Sequence, residues 1–368
     1  MSRDGLVAVN AAIIGERPTG LGLYAASLVD ALDALGERLI VYTSRPDLLA
    51  APHARLVGTP AAVRPERGLR GHALRLLWTQ TGLRARMRHH RPRLLLNLMP
   101  EGILWPPVPQ AAIVHDLLPL HYPAEYPRHQ YYFRHYVPAA LRHSRAVIVI
   151  SESTRRDVLD LYRLPPEKVH VVYCGYDPRR FSPGPTDRAR GEPYALYVGN
   201  VMPHKNLLRV VEAFARLNPG VRLVIRGSGR AHHVRALHER IATLGIASRV
   251  DWQPYAPDDE LVELYRGARM LLLPSLYEGF GLPALEAMGC GTPVLTSSTS
   301  SLPEVVGDAA LLVDPTDTDS IADAVMRLFE DDVLAKELAE RGLARARLFS
   351  WEKTGRGVQA ILRTVEQA

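Results

Sequence analysis

Cysteine is nearly absent: the 368 residues contain two, Cys174 and Cys290. Two thiols cannot build a disulfide framework, so a reducing compartment is expected. Together with the fourteen histidines they show no zinc-like spacing. No run of about 18 apolar residues occurs, which excludes a conventional spanning helix. A secretory signal needs a basic lead and a longer apolar core than this chain offers. Here Asp4 precedes the short stretch Leu6–Val9, which reads better as a first buried strand of a cytoplasmic protein. The arginine-rich stretch from Arg64 to Arg93 lacks aromatics interleaved with its basic residues, and no nucleic-acid motif appears, so a nucleic-acid partner is not expected. Internal repeats and low-complexity tracts are also missing.

What is present suits two domains, because 368 residues exceed one ordinary core. The net charge of +6 is local in origin. Nine arginines and a single acid, Glu66, lie between Arg64 and Arg93. The plain reading is a solvated helix face. The sharper one is attraction to an anionic membrane surface, as a peripheral contact, or to a lipid pyrophosphate acceptor. Leu69, Leu74, Leu76, Leu77, Trp78 and Leu83 mix with these arginines, although their spacing is imperfect for one clean amphipathic helix.

Short apolar runs alternate with helical patterns along most of the chain. The expected strands are Val7–Ile14, Leu39–Tyr42, Leu94–Asn97, Ala112–His115, Ala146–Ile150 and Val169–Val172. Later ones are Tyr194–Val198, Val221–Arg226, Met270–Pro274 and Pro293–Ser297. Continuous apolar runs mark strands buried on both faces, as in parallel sheets covered by helices. The fold class is therefore α/β. Phe181 to Pro193, rich in proline, glycine and charge, is the best boundary between halves.

Leu271 to Ser297 reads as strand, glycine loop, helix and strand. Pro283 suits the first turn of that helix, and Gly289 and Gly291 suit its exit. Gly279 and Gly281 admit close backbone approach, and the helix start presents its positive dipole end. The expectation is a phosphate or pyrophosphate site at the carboxyl edge of a sheet. Glu278 stands before the helix and Glu286 is expected in its first turn. Carboxylates at those two places can hold hydroxyls on different parts of one extended ligand. The plainer alternative makes Glu286 a favourable first-turn acid and Glu278 a solvated one.

The segment EGFGLPALE resembles the E-x7-E signature of family GT4 glycosyltransferases. Tyr197-Val198-Gly199 with Lys205-Asn206, Leu223–Gly227, Val172–Phe181 and Phe349-Ser350-Trp351 resemble further family segments in the same order. The resemblance implies the GT-B fold, two Rossmann-like domains with parallel sheets facing across a cleft. It implies residues 1–182 as the acceptor-side domain, 183–350 as the nucleotide-sugar donor domain, and 351–368 as a helix crossing back to the first. It implies Lys205 on the donor pyrophosphate, Glu278 on donor-sugar hydroxyls and Glu286 on the ribose. Phe280, Gly281 and Leu282 match the loop whose backbone meets phosphates and sugar. Asn200 is a departure, since many members carry arginine there, and one cation fewer weakens stabilisation of the leaving diphosphate.

In the first half, Gly20-Leu21-Gly22-Leu23-Tyr24-Ala25 spells G-x-G-x-x-A. It stands five residues beyond the first strand, which disfavours a dinucleotide fingerprint. The resemblance makes Gly20 and Gly22 instead a glycine loop ahead of the first long helix, near the donor phosphates. His115-Asp116 follows an apolar run, so it ends a strand. Asp116 there reads as a cap of the next turn, while IVHDLLPLHYPAEYP resembles family members with a histidine near the donor sugar. His121, Tyr122 and Tyr126 are acceptor-side candidates outside the main set. Ser151 reads first as a helix cap. Asp317-Thr318-Asp319 spells D-x-D, but its context is a loop capping a helix, so no metal is expected.

The expected catalytic residues are His115, Lys205 and Glu278. Donor binding is expected from these last two with Gly20, Gly22, Asn200, Phe280, Gly281, Leu282 and Glu286, and minor roles from Asp116, Ser151 and Arg226. No cofactor is expected. The resemblance implies a retaining transfer in which the leaving phosphate helps deprotonate the acceptor. The acceptor class stays open among glycan, lipid-linked and small-molecule forms. The histidine-type first domain favours GDP-mannose over UDP-glucose or UDP-N-acetylglucosamine. Rival readings are an epimerase of the same fold, an NAD-dependent oxidoreductase and a non-catalytic sugar-nucleotide binder.

Overall fold

The structure is a computed structural model that describes residues 5–16, 20–184, 192–218, 220–254 and 258–367. Met1–Asp4 and residues 185–191 of the proline-rich boundary lie outside the described residues. The chain divides into two compact units, Met1–Gly175 with Trp351–Ala368, and Tyr176–Ser350. Tyr176 and Phe181 already belong to the second unit, where a Cβ on Gly289 would stand 2.6 Å from the Tyr176 ring and 2.9 Å from the Phe181 carbonyl.

The first unit holds strands β1 (Val7–Asn10), β2 (Leu39–Thr43), β3 (Arg55–Gly58), β4 (Leu94–Asn97), β5 (Gln110–Val114), β6 (Ala146–Val149) and β7 (Val169–Val171). The second holds β8 (Tyr194–Val198), β9 (Arg222–Arg226), β10 (Val250–Gln253), β11 (Met270–Leu273), β12 (Val294–Ser297) and β13 (Leu311–Val313). Their orders are β3-β2-β1-β4-β5-β6-β7 and β10-β9-β8-β11-β12-β13. Every neighbouring pair runs parallel. Both are Rossmann-like sheets whose order reverses, between β1 and β4 in one and between β8 and β11 in the other.

β1, β2, β4, β5 and β6 are buried at every position, which is why they read as unbroken apolar runs. β3, β10 and β13 were not expected from the sequence. Each is a sheet edge with exposed or half-buried positions, so no apolar run announces it. The first expected strand is shorter than Val7–Ile14. β1 ends at Asn10, and Ala11–Ile14 form a buried turn closed by Ile14 N–H on the Ala11 carbonyl at 3.1 Å. β5 starts at Gln110 instead of Ala112, because the buried Gln110 amide is tied to Ile103 on both sides of its carboxamide, at 3.0 and 2.7 Å.

The C-terminal helix Trp351–Gln367 packs on the first unit through Val358, Leu362 and Val365, spaced for one face. Its glycines explain how closely it lies. A Cβ on Gly355 would stand 2.9 Å from Leu35, and one on Gly357 3.0 Å from Val172. The basic stretch forms the helix Gly68–Trp78, a π-turn Thr79–Leu83 and the helix Arg84–His90. Three of its nine arginines are spent internally. Arg75 pairs with Glu101, Arg93 with Glu37 and Glu366, and Arg64 with Glu16.

Candidate functional site

In the second unit the loops leaving β8 and β11 emerge side by side at the reversal point, where α/β sheets hold ligands. The β8 loop closes with the tight turn Pro203–Lys205 and then Asn206 at φ 64°, a left-handed conformation asparagine tolerates well. Buried Asn206 locks the two loops together, its side-chain amide donating to the Pro274 carbonyl at 2.9 Å and the Pro315 carbonyl at 2.7 Å. Leu276 N–H adds a bond to the His204 carbonyl at 2.7 Å. This lock carries Lys205 onto Glu278. The ammonium donates to both carboxylate oxygens, at 2.7 and 2.8 Å.

Glu278 is itself held from several sides. Ser275 Oγ donates to Oε1 at 2.7 Å. Its backbone N–H meets Ser300 Oγ at 2.9 Å, and its carbonyl accepts from Ser300 Oγ at 2.6 Å and Ser301 Oγ at 2.9 Å. Ser301 Oγ also donates to the Phe280 carbonyl at 2.8 Å. Ser300 takes φ 61°, unusual outside glycine, to make this clamp. The 298–301 run was not singled out from the sequence, since serines between a strand and a helix look like ordinary loop.

Gly281 is the N-cap of the helix Leu282–Gly289 at φ 113°, and a Cβ there would stand 2.7 Å from Leu302 Cδ2. Only glycine meets both demands. Pro283 occupies the first turn and Gly291, at φ 73°, follows the helix exit. Phe280 is buried with its ring edge-on to Phe349 at 5.9 Å. Glu286 is not in the first helical turn. It is the fifth helical residue, about 6 Å along the axis from the start, because the helix begins at Leu282. There its Oε2 accepts the hydroxyl of the fully buried Tyr265 at 2.8 Å. Burial first, and then the charge of Glu286, push the Tyr265 hydroxyl well above its ordinary pKa, so it stays a donor.

Asn200 is exposed, and its carbonyl accepts the Tyr197 hydroxyl at 3.1 Å. Gly199 and Gly227 approach so closely that a side chain on Gly227 would collide with the Gly199 carbonyl. Arg226, at the end of β9, is turned into its own unit. It meets Asp251 at 3.4 Å and Glu260 at 3.8 Å, with its Nε buried and unbonded.

In the first unit Gly20 and Gly22 lie in the first turn of the helix Gly20–Ala34, not in a loop ahead of it. Gly20 has φ 31° and open space where a Cβ would be, so the helix starts on a residue free of side-chain constraint. His115 follows β5 and is buried, with the Tyr24 ring edge-on at 4.6 Å. Its Nε2 lies 3.0 Å from the Leu98 carbonyl, which can only accept, so Nε2 carries the proton and Nδ1 is an acceptor. Burial lowers its pKa to about 4 against the opposing pull of that hydrogen bond, so the ring is neutral at pH 7.

Asp116 Oδ1 accepts Leu118 N–H at 3.0 Å, which caps the turn after β5. Ser151 caps the helix Glu152–Tyr162 by accepting Thr154 N–H at 3.0 Å, and Thr154 Oγ1 in turn donates to the His115 carbonyl at 3.2 Å. His121 pairs with Asp157 at 3.1 Å. Asp317 accepts from the N–H groups of Asp319 at 2.9 Å and Ser320 at 3.2 Å, as the cap of the helix Thr318–Glu330. Two polar groupings escaped the sequence reading. Asn10, Asn97 and Gln110 form a buried amide chain at 3.2 Å steps across the β1–β4 reversal. Glu101 binds Arg75 at 2.5 and 2.7 Å and His72 at 3.3 Å. Burial alone would raise the Glu101 carboxyl, but Arg75 and His72 hold it at about 2.

The family model for group 1 glycosyl transferases matches residues 179–345, and the model for glycosyltransferase family 4 matches residues 18–180. O-antigen chain mannosyltransferase B of Escherichia coli is 32% identical over 224 residues, 58% of this chain and 59% of that protein. A D-inositol 3-phosphate glycosyltransferase of Acidothermus cellulolyticus is 37% identical over 227 residues, 56% of this chain and 50% of that protein. The matched segments thus span between half and three-fifths of those relatives. Sucrose-phosphate synthase from Thermosynechococcus elongatus has the same fold, with TM-score 0.80 at 23% identity over 98% of this chain and 99% of that one. The two family models meet end to end along both units, and the chain belongs to the family 4, group 1 glycosyltransferases.

Proposed function

We propose that the protein transfers a hexose, with retention and without a metal, from a nucleotide diphosphate sugar to a glycan, lipid-linked or small-molecule acceptor. The observation that carries this reading is the Lys205–Glu278 pair, fixed by Asn206 and the serine clamp beside the Gly281 helix start. An ammonium and a helix N-terminus stabilise a departing diphosphate, and a buried carboxylate holds sugar hydroxyls. Glu286, anchored by the Tyr265 hydroxyl, is assigned to the ribose hydroxyls. Neutral His115 is suited to accept a hydrogen bond from a hydroxyl through Nδ1, not to supply positive charge. Gly20, Gly22, Asn200, Phe280, Gly281 and Leu282 are assigned to donor contact through backbone groups, and Asp116, Ser151 and Arg226 to supporting the fold around it.

Mannose from GDP-mannose is the favoured donor, supported by the mannosyltransferase among the relatives. Peripheral contact with an anionic membrane belongs to the same reading. No helix among the described residues is long and apolar enough to cross a membrane. The test is a screen of GDP- and UDP-sugars with anomeric configuration read by NMR, repeated in excess EDTA. Transfer from GDP-mannose with retention, unaffected by EDTA, is expected. Inversion, or loss of turnover restored by manganese, refutes the mechanism. Epimerisation or binding without transfer refutes the activity.

A further inference from the structure

The helix Leu207–Phe214 starts directly after Asn206, and Arg209 lies in its first turn. One guanidinium nitrogen, Nη1, donates to Asn206 Oδ1 at 2.8 Å and to the Pro315 carbonyl at 3.2 Å. The Asn206 amide nitrogen donates to that same Pro315 carbonyl and to the Pro274 carbonyl. Both ends of the buried carboxamide are thus engaged, and the partners fix which end is which. Carbonyls can only accept, so nitrogen faces them; a guanidinium can only donate, so oxygen faces Arg209.

The Pro315 carbonyl comes from a turn that is tied on both sides. Asp314 Oδ1 accepts the Thr316 N–H at 2.8 Å and the Thr316 hydroxyl at 2.7 Å, and the Asp317 N–H closes on the Asp314 carbonyl at 3.2 Å. The loops that follow β8, β11 and β13 therefore meet on one asparagine. Arg209 is the cation in this meeting, and both of its hydrogen-bond partners are neutral. Its charge also lowers the Asp314 carboxyl, a smaller effect there than the two Thr316 bonds. A cation donating to an amide oxygen polarises the amide and strengthens the bonds its N–H groups donate.

The consequence falls on the preceding residue. Asn206 stands at φ 64°, a left-handed conformation that costs energy away from glycine. Its backbone sets how the Pro203–Lys205 turn ends, and with it the aim of the Lys205 ammonium at Glu278. Without Arg209, Oδ1 becomes a buried acceptor short of its donor, a state the turn relieves by moving. We propose that Arg209 is a positioning residue for Lys205, holding its turn through Asn206 Oδ1 and the Pro315 carbonyl together. The effect on turnover rests on the transferase reading, whereas the lock can be read without any substrate.

The test uses the full chain with Arg209→Met, which removes the donors, and Arg209→Lys, which keeps a cation. Amide hydrogen exchange without ligand reads the lock at two N–H groups, Leu276 on the His204 carbonyl and Val210 on the Asn206 carbonyl. Both should exchange about tenfold faster in Arg209→Met and within about threefold of the parent in Arg209→Lys. With the sugar nucleotide chosen by the donor screen, kcat should fall about tenfold in Arg209→Met and KM should change less than about threefold. Arg209→Lys should recover most of that kcat. In a Lys205→Ala background, Arg209→Met should cost less than about twofold more, because it acts through Lys205. Arg209 is half-buried, so folded variants are expected; Arg209→Gln replaces Arg209→Met if that chain does not fold. Three results overturn the proposal: unchanged exchange at both amides, normal kcat in folded Arg209→Met whatever its unfolding temperature, or the full loss repeated on top of Lys205→Ala. A parent that turns over no sugar nucleotide refutes the transferase reading instead, and the exchange rates then decide whether Arg209 holds the Lys205 turn.

Discussion

The Lys205–Glu278 pair makes an unusual demand on any incoming diphosphate. The lysine that should meet the phosphates is already bound through both carboxylate oxygens, and both side chains are largely shielded from water. A nucleoside diphosphate without its sugar must draw Lys205 away from Glu278 and gains nothing from Glu278 in return. The substitution Glu278→Gln keeps the shape and removes the charge. Two unit charges about 4 Å apart interact by about 4 kcal/mol at an effective dielectric of 20, an upper bound on what is released. Charge-assisted hydrogen bonds contribute about 1.5–3 kcal/mol, the more realistic scale. Some is lost because the amide still accepts one bond from Lys205. We therefore expect GDP or UDP alone to bind roughly tenfold tighter to Glu278→Gln, about 1.4 kcal/mol. Turnover of the sugar nucleotide should fall by roughly a hundredfold, because the carboxylate proposed to hold sugar hydroxyls is gone. Calorimetry with the nucleoside diphosphate, beside single-turnover transfer, reads both. Weaker or unchanged nucleotide binding by a folded variant would show that Glu278 orients Lys205 and does not compete for it, and the reasoning would fail.

Glu286→Ala should weaken nucleotide binding about ten- to a hundredfold, and Tyr265→Phe several-fold with little change in kcat, since the tyrosine acts by holding Glu286. If Tyr265→Phe costs as much in the Glu286→Ala background as alone, the two are not coupled. Lys205→Ala should lower kcat by roughly a hundredfold or more while the unfolding temperature stays close to that of the parent; near-normal kcat removes it from the chemistry. Glu101 predicts an acid transition. Its folded pKa, about 2, lies below its ordinary 4.5, so its contribution to stability is complete above pH 4.5 and is lost as pH falls towards 2. Chemical unfolding from pH 5 to 2 should show that loss in the parent and a flatter curve in Glu101→Gln; identical slopes would count against the Arg75–Glu101 pair.

Much of this protein was legible in its residue order. The fully buried strands announced themselves as apolar runs because a parallel sheet covered on both faces has no polar side to show. Gly281, Pro283 and Gly291 marked both ends of one helix, since backbone conformation is set by the residue itself. Asp317 was legible as a cap because an N-cap bond reaches only two or three residues along the chain. The tertiary structure decided what depends on distant partners. It moved Glu286 out of the first helical turn and gave it Tyr265, 21 residues away in sequence. It brought Lys205 to Glu278 across 73 residues and Arg93 to Glu366 across 273. It made His115 neutral by burying it against Tyr24 and the Leu98 carbonyl. It also sorted one arginine-rich composition into internal ion pairs and, at Arg209, bonds to neutral acceptors, because a guanidinium's role follows from which partner the fold sets beside it, and local sequence carries no record of that.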